Sequence, residues 1–320
     1  MGMPIVFDRK AVRAHRERAA RRFADHDFLF REAAERLVER LDDVARSFPR
    51  ALDLGARTGV LAPPLAGRSG IETLIHCDLS PAMMRAARAR PCAAGGPKRA
   101  VVVADEEFLP FAEGSFDLVV SCLSLHWTND LPGALLQARR ALKPDGLFLT
   151  ALLGGETLVE LRQALLDAEL AETGGAGPRV SPFADLRDAA GLLQRAGFAL
   201  PVADSDTITV EYENALDLMR DLRGMGEANA VVERRKDFSR RSTLLRAAAI
   251  YEDRFGRPAT GRMPATFQIL TLTAWAPAAD QPKPLRPGSA THRLAEALDA
   301  VEIKTGERPA GGCAVPRSGA

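Results

Sequence analysis

The sequence is poor in the features that mark a specialised environment. Its four cysteines, Cys77, Cys92, Cys122 and Cys313, are scattered without a C-x-x-C pair. That spacing argues against a zinc site or a disulfide framework and fits free thiols in a reducing compartment. Net charge is nearly absent: 43 Lys and Arg against 42 Asp and Glu leave +1, so no global electrostatic case for nucleic acid survives. No uncharged apolar run approaches the roughly 18 residues that span a bilayer, and the N-terminus lacks the apolar core of a secretory signal. The chain is expected to be soluble and intracellular. The G-x-G-x-x-G fingerprint of dinucleotide enzymes is missing as well.

What is there is an ordinary globular composition over 320 residues, 46% apolar and 27% charged. The Arg-rich stretch "RKAVRAHRERAARRF", residues 9–23, could be a transit peptide or a membrane-surface helix. It also carries Glu17, follows Asp8 and leads into Leu37, Val38, Leu41 and Val44 at helical spacing, so it reads as a lid helix with a solvated basic face. Apolar runs at 50–55, 73–80, 100–105 and 116–125 alternate with helical patterns, the signature of a parallel sheet with crossover helices. Ser80 and Pro81 give a helix start, and "KPDG" gives a turn before a fifth strand from Leu147. "DTITVEY" and "FQILTLTAWAP" read as the sixth and seventh strands. The expected fold is α/β, a seven-stranded, mostly parallel, Rossmann-like sheet sandwiched by helices. Its expected divisions are an N-terminal helical lid at 1–48, an α/β domain at 49–277 with helical insertions after residue 150, and a Pro- and Gly-rich extension at 278–320.

Ligands of open α/β sheets bind at the carboxyl ends of the strands. "ALDLGARTGVLA" puts Gly55 and Gly59 in that place, with Arg57 between them where a further glycine might be expected. Asp53, Asp78 and Asp105 close the first three strands, and Glu106 follows the last. Three carboxylates would repel a pyrophosphate and suit a cationic adenosyl ligand; S-adenosylmethionine carries both a sulfonium and an ammonium. The same residues also serve as ordinary strand-end turn formers. His126 and Trp127, in "LSLHW" after the fourth strand, are the candidates for substrate contact or proton removal, the alternative being a pair that closes the pocket wall. His76 and Asp78 have the H-x-D spacing of a facial metal triad, but Asp78 already has the ribose as its ligand, so no metal is expected.

The stretch 50–150, with "ADEEFLPFAEGSFDLVVSCLSLHWTNDLPGAL" and "LKPDG", resembles the class I S-adenosylmethionine-dependent methyltransferases, including the malonyl-carrier-protein O-methyltransferases of biotin synthesis. "GGETLVELR", "SPFADL", "DLMRDLRGMGEANA" and "PATFQI" resemble the fifth assembly factor of mitochondrial respiratory complex I and its bacterial relatives, over nearly the full length. The resemblance implies that Gly55 and Gly59 with Asp53 bind the methionine end of the cofactor, Asp78 the ribose, and Met83 the adenine face, while Asp105 and Glu106 read the adenine edge. Leu79 and Ser121 complete the cofactor set. Arg57 takes the place of the family's middle glycine, and its side chain can turn to solvent.

The activity implied is modification of an arginine on an iron–sulfur subunit during complex I (NADH dehydrogenase) assembly, by hydroxylation, with "DLMRDLRGMGEANA" in the protein-docking face. The alternatives are a methyltransferase acting on a small molecule or carrier protein, and a non-catalytic assembly chaperone. The partner expected is a protein, without nucleic acid or transmembrane anchoring; any membrane contact would be peripheral. The N-terminus starts close to the domain, which favours a bacterial cytoplasm; the mitochondrial matrix is the compartment if the source is eukaryotic.

Overall fold

In the computed structural model, which describes residues 5–91, 95–183, 185–257, 259–281, 289, 292 and 294–301, the apolar runs form one seven-stranded sheet. Its strands are β1 (Arg50–Leu54), β2 (Thr73–Asp78), β3 (Lys98–Val103), β4 (Phe116–Cys122), β5 (Leu142–Leu153), β6 (Ala199–Tyr212) and β7 (Met263–Trp275). Their order is β3-β2-β1-β4-β5-β7-β6. The first five in that order run parallel, and β7 lies antiparallel to both β5 and β6. This is the mostly parallel, Rossmann-like sheet expected. Chain order reverses between β1 and β4, which opens a crevice at their carboxyl ends.

β1 and β4 read as continuous apolar runs because both faces of the sheet are covered. The helices in chain order are α1 (Arg9–Ala19), α2 (Phe28–Glu39), α3 (Ala62–Leu65), α4 (Pro81–Ala89), α5 (Leu131–Ala141), α6 (Val159–Thr173), α7 (Leu186–Arg195), α8 (Ala215–Met225) and α9 (Arg241–Phe255). On one side, Leu29 and Phe30 of α2, Leu161 of α6 and Leu218 of α8 pack with Leu118, Leu149 and Phe267 of the sheet. On the other, Leu135 of α5 and Leu193 of α7 pack with Leu52, Val119 and Phe148. The helix starts follow their caps: Ser80 Oγ accepts from Met83 N ahead of Pro81, and Asp8 and Asn214 cap α1 and α8.

Two elements depart from the sequence reading. "KPDG" is not a turn between elements but part of β5: Phe116 pairs with Leu142, and the register then slips so that Leu118 pairs with Leu147. The surplus residues form a bulge in which Asp145 takes a φ of +62°. β6 starts at Ala199, well before "DTITVEY", because β7 is long enough to pair with all of it.

The chain divides into two units. Met1–Ala279 holds the sheet and the helices named above; Asp280–Ala320 holds one short helix, Leu294–Ala297. Cys77 and Cys122 are free and buried, and burial pushes both thiols above their usual range; Cys92 and Cys313 lie outside the described residues. Among the described residues no helix is long and apolar enough to cross a membrane.

Leu149 is fully buried on β5 between Val120 of β4 and Thr273 of β7. Leu149→Ala should lower the unfolding free energy in urea by about 2–5 kcal/mol, the cost of lost transfer energy plus a cavity that close packing cannot fill.

Candidate functional site

The loop leaving β1 lies in the crevice. Gly55 N and Ala56 N donate to Cys77 O at 2.7 and 3.0 Å, and Gly55 has a φ of +72°. A Cβ there would overlap Ser124 Oγ, so glycine alone lets the loop close against the segment after β4. A Cβ on Gly59 would press on the His76 ring, 3.3 Å from Cε1.

Asp78 ends β2 facing this loop with both oxygens engaged. Oδ1 accepts from Ser80 N at 2.8 Å; Oδ2 accepts from Arg57 N at 3.0 Å and Arg16 Nη1 at 3.2 Å. Glu106 Oε1 accepts from Arg16 Nη1 at 2.5 Å and from Ser124 Oγ at 2.8 Å, and its Oε2 pairs with Arg9. Arg9 also pairs with Asp105. α1 buries Val12, Arg16 and Ala19 on one face, so a charge sits where the helical pattern calls for an apolar residue. The basic face is therefore not wholly solvated: Arg16 is fully buried and reaches from α1 into the crevice. Burial pulls its guanidinium down, but Asp78 and Glu106 outweigh that and hold it above its usual range. Burial likewise raises Glu106, and Arg16 with Arg9 reverses the effect to leave it well below the carboxylate range.

A second carboxylate cluster adjoins the first. α8 ends at Gly226, whose φ of +78° lets Glu227 N return to Leu222 O at 2.8 Å. That turn aims Glu227 inward. Its Oε1 accepts from Arg57 Nη2 at 2.5 Å; its Oε2 faces His126 Nε2 at 3.1 Å and accepts from Trp127 Nε1 at 2.7 Å. Burial opposes ionisation of Glu227, yet Arg57, His126 and Trp127 bring its pKa down to about 2. Burial lowers His126, so its ring is neutral at pH 7 with the proton on Nε2 facing the carboxylate. The lone pair then falls on Nδ1, which is buried and has no hydrogen-bond partner. Arg57 does not turn to solvent. It is 1% exposed, lies 5.3 Å over the Phe30 ring and donates also to Leu123 O at 3.3 Å.

Of the residues singled out in the sequence, the fold brings Gly55, Asp78, Glu106, His126 and Trp127 into this connected network. Asp105 joins it through Arg9. Asp53 stands apart: it pairs with His76 Nδ1 at 2.8 Å across β1 and β2, and braces the loop only through the ring against Gly59. His76 Nδ1 is thus held by Asp53, and among the described residues no group of three or more His, Cys, Asp or Glu could hold a metal ion. Met83 is fully buried in the core, Leu79 packs beside Phe7 and Trp127, and Ser121 Oγ is buried without a partner. Arg9, Arg16, Ser124 and Glu227 are the members that sequence reasoning missed. "DLMRDLRGMGEANA" contains Glu227, there read as part of a docking surface; Arg220 and Arg223 of the motif are exposed, while Met225 and Ala230 are buried and the Glu227 side chain turns inward.

Residues 52–150 match the model of a methyltransferase domain. The chain is 44% identical over 293 residues to "Arginine-hydroxylase NDUFAF5, mitochondrial" of Danio rerio, covering 91% of this chain and 89% of that one. It is 42% identical to the Homo sapiens protein of the same name, covering 91% and 83%. The chain belongs to the NDUFAF5 family. A malonyl-[acyl-carrier protein] O-methyltransferase of Laribacter hongkongensis is 38% identical, covering 85% and 91%. The YcgJ protein of Bacillus subtilis shares the fold at a TM-score of 0.55 and 15% identity, covering 77% of this chain and 99% of that one. This NDUFAF5-family protein is thus an enzyme with a methyltransferase fold.

Behind Glu227 lies a cavity of about 330 Å³ between α6, α8 and α9. Leu158, Leu161, Leu165, Phe183 and Leu222 give it apolar walls, Arg179 and Arg223 also line it, and Glu227 is the carboxylate among its lining residues. His126 stands edge-on to Phe183 at 5.8 Å between centroids, one ring behind the wall.

Arg16→Ala should destabilise the fold by about 3–5 kcal/mol in denaturant unfolding, because Asp78 would stay buried without its cation and Glu106 would keep Arg9 as its only cation. His126 should also show in the pH profile. Its folded pKa lies below the ordinary 6.5, so as pH falls through that value the unfolded chain takes up a proton that the buried ring refuses. Melting temperature should drop between pH 7 and 5.5, and the drop should be smaller in His126→Gln.

Proposed function

We propose that this NDUFAF5-family protein binds S-adenosylmethionine in the crevice and modifies an arginine of an iron–sulfur subunit of respiratory complex I during assembly. One observation carries the reading: Glu227 belongs both to the apolar cavity and, through Arg57, to the glycine loop. An arginine side chain has the matching chemistry, an aliphatic stem for Leu158, Leu161, Leu165 and Leu222 and a guanidinium for a carboxylate. Relatives named arginine hydroxylases, 44% and 42% identical over most of their lengths, support the same substrate and hydroxylation as its modification.

The residue set fits the cofactor. Two buried guanidinium groups, Arg16 and Arg57, face three buried carboxylates, Asp78, Glu106 and Glu227, leaving one net negative charge. S-adenosylmethionine, with a sulfonium, an ammonium and a carboxylate, carries one net positive charge. Asp78 would hold the ribose hydroxyls at the oxygen Arg16 now takes, and Gly55 gives the backbone its close approach. When bound, the cofactor would offer a methyl group on an electron-poor sulfur, which methylation would use and hydroxylation would leave in place. The chain's own residues do the rest: Glu227 orients the substrate guanidinium, Trp127 Nε1 fixes the carboxylate, and His126 Nδ1 is the atom able to accept a proton. Hydroxylation of a C–H bond is a two-electron oxidation, for which dioxygen is the oxidant and an external donor supplies the electrons for the second oxygen atom.

The test is mass spectrometry of the isolated iron–sulfur subunit after incubation with the enzyme, the cofactor, dioxygen and a reductant. Gain of one oxygen atom on an arginine is expected, with the rate falling about 10- to 100-fold in Glu227→Gln, the worth of a lost charge-assisted contact. Gain of a methylene instead would assign the chain to protein methylation, and an unchanged subunit mass would sink the reading.

A further inference from the structure

Arg57 is costly where it stands. Its φ is +52°, a left-handed conformation that glycine adopts freely and that costs other residues about 1–3 kcal/mol. Its guanidinium is buried as well, and burial followed by the nearby Arg16 charge lowers its pKa. Against these costs stand the Phe30 ring beneath the guanidinium and, among its side-chain nitrogens, the hydrogen bonds of Nη2 alone, to Glu227 and Leu123 O. Nε and Nη1 are buried with no hydrogen-bond partner, and so is Nε of Arg16. Buried donors left unpaired cost about 1–3 kcal/mol each, and more when they belong to a cation.

The position of those donors narrows what would satisfy them. Arg57 lies in the loop between Gly55 and Gly59, its own N–H on Asp78 and its side chain crossing toward the end of β4. The acceptors nearby, Asp78, Glu106 and Glu227, already bind donors, so what the site lacks is a further anion. A carboxylate suits a guanidinium best, through planar charge-assisted hydrogen bonds. A phosphate would bring more negative charge against three buried carboxylates, so the site disfavours nucleotide phosphates.

We infer that Arg57 is a specificity-determining residue of the cofactor site: its guanidinium receives the carboxylate at the amino-acid end of an S-adenosyl sulfonium. The inference rests on the cofactor reading above. It turns the departure from a glycine-only loop into a selection device. A cofactor with the carboxylate satisfies the unpaired donors, whereas one with the same adenosyl, sulfonium and ammonium groups but no carboxylate leaves them buried and unmet.

The experiment is calorimetric titration of the full chain, as wild type, Arg57→Gly and Arg57→Lys, with S-adenosylmethionine and with its decarboxylated form. Thermal melts of each protein establish that it is folded. Wild type should prefer the intact cofactor by roughly 10- to 100-fold, the value of one charged hydrogen-bonded contact. In Arg57→Gly that preference should fall to near unity through weaker binding of the intact cofactor alone, and Arg57→Lys should keep part of it. If Arg57→Gly keeps the wild-type preference, or binds the intact cofactor more tightly, the arginine selects nothing and the inference fails. Wild type binding both ligands equally also removes the role of Arg57 and leaves the cofactor site standing, whereas wild type binding neither overturns the cofactor reading itself. Should Arg57→Gly not fold, the Arg57→Lys ratio decides, an unchanged preference for the carboxylate together with unchanged affinity being the outcome that refutes the role.

Discussion

Everything at the crevice depends on how buried charge is balanced. Asp78, Glu106 and Glu227 are buried together, and a guanidinium lies against each: Arg16 against the first two, with Arg9 also on Glu106, and Arg57 against the third. The Coulombic gain of such pairs is largely cancelled by desolvation, so their effect is on arrangement more than on stability. They fix where α1, the glycine loop and the end of α8 stand relative to the sheet, because moving any one of them would strand a charge. α1 is tied to β2 and β3, and Glu227 is tied to β1 and β4, through single side chains.

That network also joins two parts of the site. The glycine loop presents one surface to the crevice, and through Arg57 it touches the carboxylate that faces the apolar cavity. His126 and Trp127 converge on the same carboxylate from the 3₁₀ turn after β4. A change at the glycine loop therefore reaches the apolar cavity over a few hydrogen bonds. In a crevice this crowded, an added group must displace an existing partner or answer an unmet one. Arg16 on Asp78 is a partner that can be displaced, and Arg57 Nε and Nη1 are unmet.

Membership of the NDUFAF5 family and the relation to carrier-protein methyltransferases illustrate how far fold is separated from reaction. In this chain the crevice is bordered by residues after 150: the α6, α8 and α9 cavity and the turn that aims Glu227 inward.

The sequence by itself determined the sheet. Apolar runs with capped helices between them leave few ways to bury their faces, so strand count, mostly parallel sense and the place of the glycine loop were all legible. Asp78 and the Gly55 turn were legible for the same reason, since each is set by its own strand end. The limits were local as well: the bulge at Asp145 and the early start of β6 depend on pairing with β4 and β7, which no single segment encodes. Tertiary structure alone decided the partners. Arg16 reads as one more cation on a basic helix, Glu227 as part of a polar motif, and Arg57 as a side chain free to leave the loop. Arg16 meets Glu106 across 90 residues of chain and Arg57 meets Glu227 across 170, contacts that packing creates and sequence spacing cannot express.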